Sequence, residues 1–202
     1  MKKFLALFLG LLLLPLTTQA IEYKEGTHYE VIKPTASPTP EVREFFSFYC
    51  GHCYKFEPFM ANLKKSLPDN VAFKKTHVDF LGREMGPQLT KAYAAAEILQ
   101  VEDKVASLLF EQIQIQRKPV NGEADILALF EQAGISQEEA QGALESFPVT
   151  GLASQMKRAT ETFAIRGVPT VIVNGKYEVN RASVRSKKEF LALVNFLTQK
   201  KD

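Results

Sequence analysis

FFSFYCGHCYKFEP, residues 45–58, decides how the rest of the chain is read. It holds both cysteines of a 202-residue protein, Cys50 and Cys53, between an aromatic run and a segment with helical apolar spacing. Upstream, EVREFFSFY (residues 41–49) is rich in β-branched and aromatic residues and nearly continuously apolar at its end, as suits a central buried strand. Downstream, Phe56, Met60, Leu63 and Leu67 recur at spacings of three and four, which predicts a helix to about residue 67, stopped by PDN. VAFKKTHVDF (residues 71–80) alternates again. Strand, helix and strand make a βαβ unit, with the cysteines in its first turn.

Working outward, HYEVI (residues 28–32) alternates like a short strand, and KPTASPTP after it is a connector whose prolines forbid regular pairing. The chain opens with Lys2-Lys3, an apolar run over residues 4–16 interrupted by Gly10 and Pro15, and TTQA, with the small residues Thr18 and Ala20 where a signal peptidase inspects. The run is short of the ~20 residues a membrane helix needs, so residues 1–20 read as a cleaved secretory signal. The formal net charge of +2 is carried by Lys2 and Lys3, leaving residues 21–202 balanced and without a basic field for nucleic acid. With 46% hydrophobic and 24% charged residues the composition is that of a globular protein.

Between about residues 88 and 147 the pattern turns helical. LTKAYAAAEILQ, EDKVASLLFEQIQIQ, ADILALFEQAG and SQEEAQGALESF are separated by turn sequences such as KPVNGE and AGIS. A further helix is expected from about residue 152 to 165. Then RGVPTVIVNGKYEVN (residues 166–180) places two strands around Asn174-Gly175, a strong hairpin signature, and a last amphipathic helix is expected over residues 187–198. The expected division is signal peptide 1–20, first domain part 21–85, helical subdomain 86–150, and second domain part 151–202.

Two cysteines two residues apart admit three readings. A structural brace across so short a loop removes only roughly 2 kcal/mol of unfolded-state freedom. Zinc wants about four nitrogen or sulfur ligands, and His28, His52 and His77 do not stand at ligand spacing to the cysteines. Attached haem is excluded, because Tyr54 stands where that motif needs histidine. Redox catalysis suits the strand-turn-helix setting best, although brace and metal clip stay open on the residues alone. At the start of a helix, Cys50 meets unpartnered backbone N–H groups and the positive end of the macrodipole, which stabilise a thiolate. A stabilised thiolate favours the reduced state and makes the disulfide a stronger oxidant. Cys50 is thus expected to be the attacked and attacking sulfur, and Cys53, one turn in, to be buried and resolving. His52 is read either as tuning the Cys50 sulfur or as a solvated loop histidine.

EFFSFYCGHCYKFE, VEDKV, RGVPTVIVNGKYEVN and the helical insertion, in this order over nearly the whole mature chain, resemble the DsbA family of bacterial periplasmic thiol:disulfide oxidoreductases. The resemblance implies an α/β architecture, a thioredoxin fold with an inserted helical subdomain, and a cis peptide at Val168-Pro169 facing the redox loop. Val168, Pro169 and Gly51 would then receive an extended client segment by backbone pairing, within an apolar groove that includes parts of the helical subdomain. Glu44 and Glu57 fall near the site, and Lys75 matches a family lysine; the three are expected to adjust its electrostatics or proton traffic. Pro58, inside the helix, is expected to kink it. One departure stands out: the common family dipeptide between the cysteines is Pro-His, whereas this chain has Gly51-His52, which frees the loop backbone and implies a milder oxidant. The resemblance further implies periplasmic localisation, reduced or unfolded exported proteins as clients, reoxidation by a quinone-linked inner-membrane partner (DsbB-like), no cofactor beyond the Cys50–Cys53 disulfide, no metal, and a monomer. An isomerase or reductase, or a non-catalytic metal-binding or interaction module, are the alternative readings.

Overall fold

In the computed structural model, which describes residues 22–200, the βαβ unit sits at one end of a five-stranded sheet of order β1-β5-β4-β2-β3. The strands are β1 (Tyr29–Val31), β2 (Glu41–Phe46), β3 (Ala72–His77), β4 (Thr170–Val173) and β5 (Tyr177–Val179). β2 pairs parallel to β3 and antiparallel to β4, so it is held on both sides. Both of its faces are also covered, which explains its lack of polar alternation. The β4–β5 turn has Asn174 and Gly175 both at positive φ (52° and 60°), as the Asn-Gly signature requires. The expected signal peptide, residues 1–20, lies outside the described residues.

Helix α1 (Gly51–Ser66) follows the cysteine loop and runs through Pro58. It packs with α7 (Lys187–Gln199) on one face of the sheet, burying Phe56, Met60 and Leu63 against Val42, Val171 and Val173, with Phe190, Leu193 and Leu197 across from them. The other face carries Phe45 and Ile172, covered by Ile165 and by Ala159 and Phe163 at the end of α6 (Phe147–Thr162). Helices α2 (Met85–Ile98), α3 (Glu102–Phe110), α4 (Glu123–Ala133) and α5 (Gln137–Glu145) build the subdomain between β3 and α6. Its core is continuous with Phe46, Phe48 and Cys53, so the redox loop rests on the helical subdomain as well as on the sheet.

Three local expectations are corrected. The helix expected from about residue 152 begins at Phe147, because Ser146 caps it by accepting the Val149 N–H and Pro148 suits its first turn. The segment read as one helix over residues 102–116 changes at Phe110 into a π-helical turn, Glu111–Ile115, in which Gln116 N–H reaches Glu111 O at 3.0 Å. Apolar spacing carries no mark of that widening. Cys50 is the residue before the helix rather than its first residue: its backbone is extended (φ −97°, ψ 107°) and its side chain caps α1.

Candidate active site

A cysteine at a helix cap presents its sulfur to the free N–H groups of the first turn. Cys50 Sγ accepts the Cys53 N–H at 3.1 Å and, as a thiol, donates to Val168 O at 3.3 Å. Both cysteines are free thiols; Cys50 is partly exposed, whereas Cys53 is fully buried beside Phe46 and Phe48. Their acidities diverge accordingly. The Cys53 side chain, hydrogen-bonded to Cys50, does most to pull the Cys50 thiol down to about 6; burial opposes it, and the Cys53 and His52 N–H groups and the His52 ring charge reinforce it. Cys53 is pushed far up by that same hydrogen bond and by burial. The pair therefore holds one proton on Cys53 and negative charge on Cys50.

The Val168-Pro169 peptide is cis, as the resemblance implies, and Pro169 is buried while Val168 is partly exposed. Gly51 and His52 lie exposed in the first turn of α1. The cavity that opens beside Pro169, about 320 Å³, is rimmed by Glu30, Glu178, Asn180 and Arg181. On that side the wall is largely polar.

Beneath the cysteines the parallel register sets Glu44 directly opposite Lys75. Lys75 Nζ lies 3.4 Å from Glu44 Oε2 and 2.5 Å from Glu57 Oε1, so the three expected charged residues form one cluster. Glu44 is fully buried, and neither carboxylate oxygen has a hydrogen bond of good geometry among the described residues. Burial raises its carboxyl to about 7; Lys75 pulls it back and Glu57 pushes it up. Burial works against the Lys75 charge, yet Glu44 and Glu57 more than offset it and hold the ammonium above its usual range. Lys75 and Glu57 line a surface cavity of about 530 Å³, which gives the cluster a route to water.

Two residues of the site carried no sequence signal. His77 is fully buried, stacked on Phe48, with its Nδ1 2.8 Å from Thr90 Oγ1 and its Nε2 accepting the Phe48 N–H at 3.4 Å. Thr90 in turn donates to Gly86 O, which fixes the neutral tautomer with its proton on Nδ1. Gln114, from the π-helical turn, donates to Phe48 O at 2.6 Å. The loop between β2 and Cys50 is thus held from the sheet and from the inserted helices.

The model of the DSBA-like thioredoxin domain matches residues 41–186, which spans every element named above except β1 and α7. The chain belongs to the DSBA-like thioredoxin family. It is 38% identical to the thiol:disulfide interchange protein DsbA of Escherichia coli K12 over 210 residues, all of both chains. Over 183 residues it is 41% identical to the DsbA of Shigella flexneri, covering 89% of this chain and 87% of that one. Among solved structures, DsbA of Klebsiella pneumoniae superposes with a TM-score of 0.83 at 36% identity, covering 90% of this chain and all of the other. DsbA from Proteus, in complex with a non-covalently bound peptide, gives 0.83 at 34% identity over 89% of this chain and all of the other. The DsbA relatives thus share both the sheet and the helical insertion that support the cysteine loop.

Proposed function

We propose that the protein is an exported dithiol oxidase that passes its Cys50–Cys53 disulfide to reduced proteins. The observation that carries this reading is the Cys50 sulfur itself: capping α1, partly exposed, lowered to about 6, and within 3.3 Å of the carbonyl of Val168. A client thiolate attacks Cys50 and displaces Cys53 as a thiolate. Buried Cys53 takes a proton at once, and Glu44, half protonated near neutrality, with Lys75 and Glu57 as its link to solvent, supplies it. A second client thiolate then attacks the client sulfur of the mixed disulfide and expels Cys50, a good leaving group because its thiolate is stabilised. Two client thiols become one disulfide, and the cysteine pair is left reduced by two electrons, with one proton on Cys53, Cys50 as the thiolate, and the other proton released to solvent. The dithiol returns to the disulfide by passing those electrons to a quinone-linked membrane partner, DsbB-like as the family resemblance suggests, and no other cofactor takes part.

The peptide bound non-covalently by the Proteus relative supports a peptide segment as client here; the binding mode proposed is an extended segment received by the backbone at Val168 and Pro169, beside Gly51. Residues 1–20 direct the chain to the periplasm; among the described residues no helix is long and apolar enough to cross a membrane. The experiment is oxidation of a reduced, unfolded client by the disulfide form. Wild type oxidises it stoichiometrically; Cys53→Ser, first converted to its Cys50–glutathione disulfide, exchanges glutathione for client and accumulates the Cys50–client mixed disulfide, and Cys50→Ser does neither. Oxidation by Cys50→Ser, or stoichiometric metal in the purified reduced protein, overturns the assignment.

A further inference from the structure

The redox loop is anchored to the thioredoxin part by groups close to it. Phe48 N–H is taken by His77 and Cys50 N–H by Ser47 O at 3.0 Å. The backbone acceptor Phe48 O is taken from outside, by Gln114 Nε2 at 2.6 Å. Gln114 lies one helical turn past Phe110, whose ring packs edge-on against Phe48 with centroids 5.0 Å apart. Side chain and carbonyl of the same loop residue are thus both held by one stretch of the helical subdomain. The turn that carries Gln114 is the π-helical one, an uncommon geometry that tends to appear at functional sites.

The other end of the same amide faces Gly51. A Cβ placed on Gly51 would lie 3.3 Å from Gln114 Oε1 and within 4 Å of nothing else beyond its own helix and chain neighbours. Gly51 opens α1 with ordinary helical backbone, so its glycine is not needed for a left-handed φ. What a side chain there meets is Gln114. The amide therefore lies along the loop on both sides of Cys50, bonded before it and in near contact after it.

We propose that Gln114 is a positioning residue for the redox pair, matched to Gly51: it holds the Phe48–Gly51 backbone in the conformation that turns the Cys50 sulfur onto the Cys53 N–H. Through it the helical subdomain sets the acidity of Cys50 and hence the oxidising power of the disulfide. This rests on the oxidase reading above and deepens it. Loss of the Gln114 donor leaves the loop free to rotate away from the cap, which costs the thiolate its N–H partner and favours the disulfide.

The test is a double-mutant cycle on the full mature protein with Gln114→Met, which keeps the length and removes the donor, Gly51→Ala, and the two combined. Two quantities are read: the titration midpoint of the Cys50 thiolate by its ultraviolet absorbance, and the equilibrium constant against reduced and oxidised glutathione. Gln114→Met is expected to raise the midpoint and weaken the oxidising equilibrium by about three- to ten-fold, the scale of one hydrogen bond. Gly51→Ala is expected to shift both in the wild-type background and to have little effect once Gln114 is Met. Additive effects, or a Gln114→Met protein that melts earlier yet titrates and equilibrates like wild type, overturn the proposal. Wild type titrating like a free thiol overturns the oxidase reading as well, whereas a shifted wild type with unshifted variants overturns this inference alone.

Discussion

Glu44 is the residue at which the site pays most for its chemistry. A carboxylate with no exposed surface is disfavoured unless paired, and a single lysine shared with Glu57 does not fully compensate, hence a carboxyl near 7. The same group lies where Cys53 must gain and lose a proton. Because its folded pKa is raised, Glu44 binds a proton in the native state that the unfolded chain releases between about pH 4.5 and 7. Its contribution to stability is full below 4.5 and is lost as the pH climbs through 7. Glu44→Gln removes this loss. In the oxidised protein, the variant's stability relative to wild type is expected to rise across that window by at most about 3 kcal/mol, measured by denaturant unfolding at a series of pH values. Turnover of the variant is expected to lose its dependence on a group near pH 7. A relative stability independent of pH would mean that Glu44 is ionised and satisfied throughout.

At the scale of elements, the loop between β3 and α2 supports the redox turn through two glycines with different duties. Gly82 has φ +85°, and a Cβ there would enter the ring of Tyr49, the residue before Cys50. Gly86, in α2, lies so close to the carbonyl oxygens of Asp79 and Leu81 that a Cβ would collide with backbone. An aromatic ring can swing aside, while backbone oxygens cannot. Gly82→Ala is therefore expected to displace Tyr49 and slow client oxidation, at a backbone cost of about 1–3 kcal/mol. Gly86→Ala is expected to cost about 2–4 kcal/mol or more by forcing α2 from the loop, with the Cys50 titration less affected. Thermal unfolding and thiolate absorbance on both variants separate the two effects. Neither duty is visible in LGREMG, where both residues read simply as loop glycines. What could be read was what repeats or punctuates: strand alternation, the three-four spacing of α1 and α7, Asn174-Gly175, and two cysteines at a strand-helix junction. Glu44 could be named from its place in a strand that otherwise reads as core, and Lys75 from the resemblance, but their pairing depends on the β2–β3 register, which no local pattern encodes. Gln114 was hidden twice. Its segment reads as plain helix, and its partner is a backbone carbonyl 66 positions away.

For the whole molecule, His77 links the redox loop to the response of the fold to acid. It sits between Phe46, Phe48 and Thr90, spanning the sheet, the loop and α2. Burial, with the nearby Lys75 charge adding to it, pulls the imidazole down to about 3. The native protein keeps it neutral, while the unfolded chain takes up a proton below about 6.5. Its folded pKa being depressed, its contribution to stability is present above 6.5 and is lost as the pH falls toward 3. That is the opposite sense to Glu44, which loses stability as the pH rises from 4.5 to 7. From about 4.5 to 6.5 the two slopes cancel; below 4.5 His77 acts alone and the fold weakens. His77→Gln keeps an acceptor for the Phe48 N–H and abolishes the charging. The stability of wild type minus that of the variant, both oxidised so that Cys50 does not titrate, is expected to grow as the pH rises from 3 to 6.5 and to level off above. The total change is at most about 5 kcal/mol for a fully buried group. Constant-temperature unfolding in urea from pH 3 to 8 reads it directly. A flat difference would mean that the imidazole is charged in the native state, which would require its Nε2 to donate rather than accept and would break the Phe48 N–H contact that anchors the redox loop.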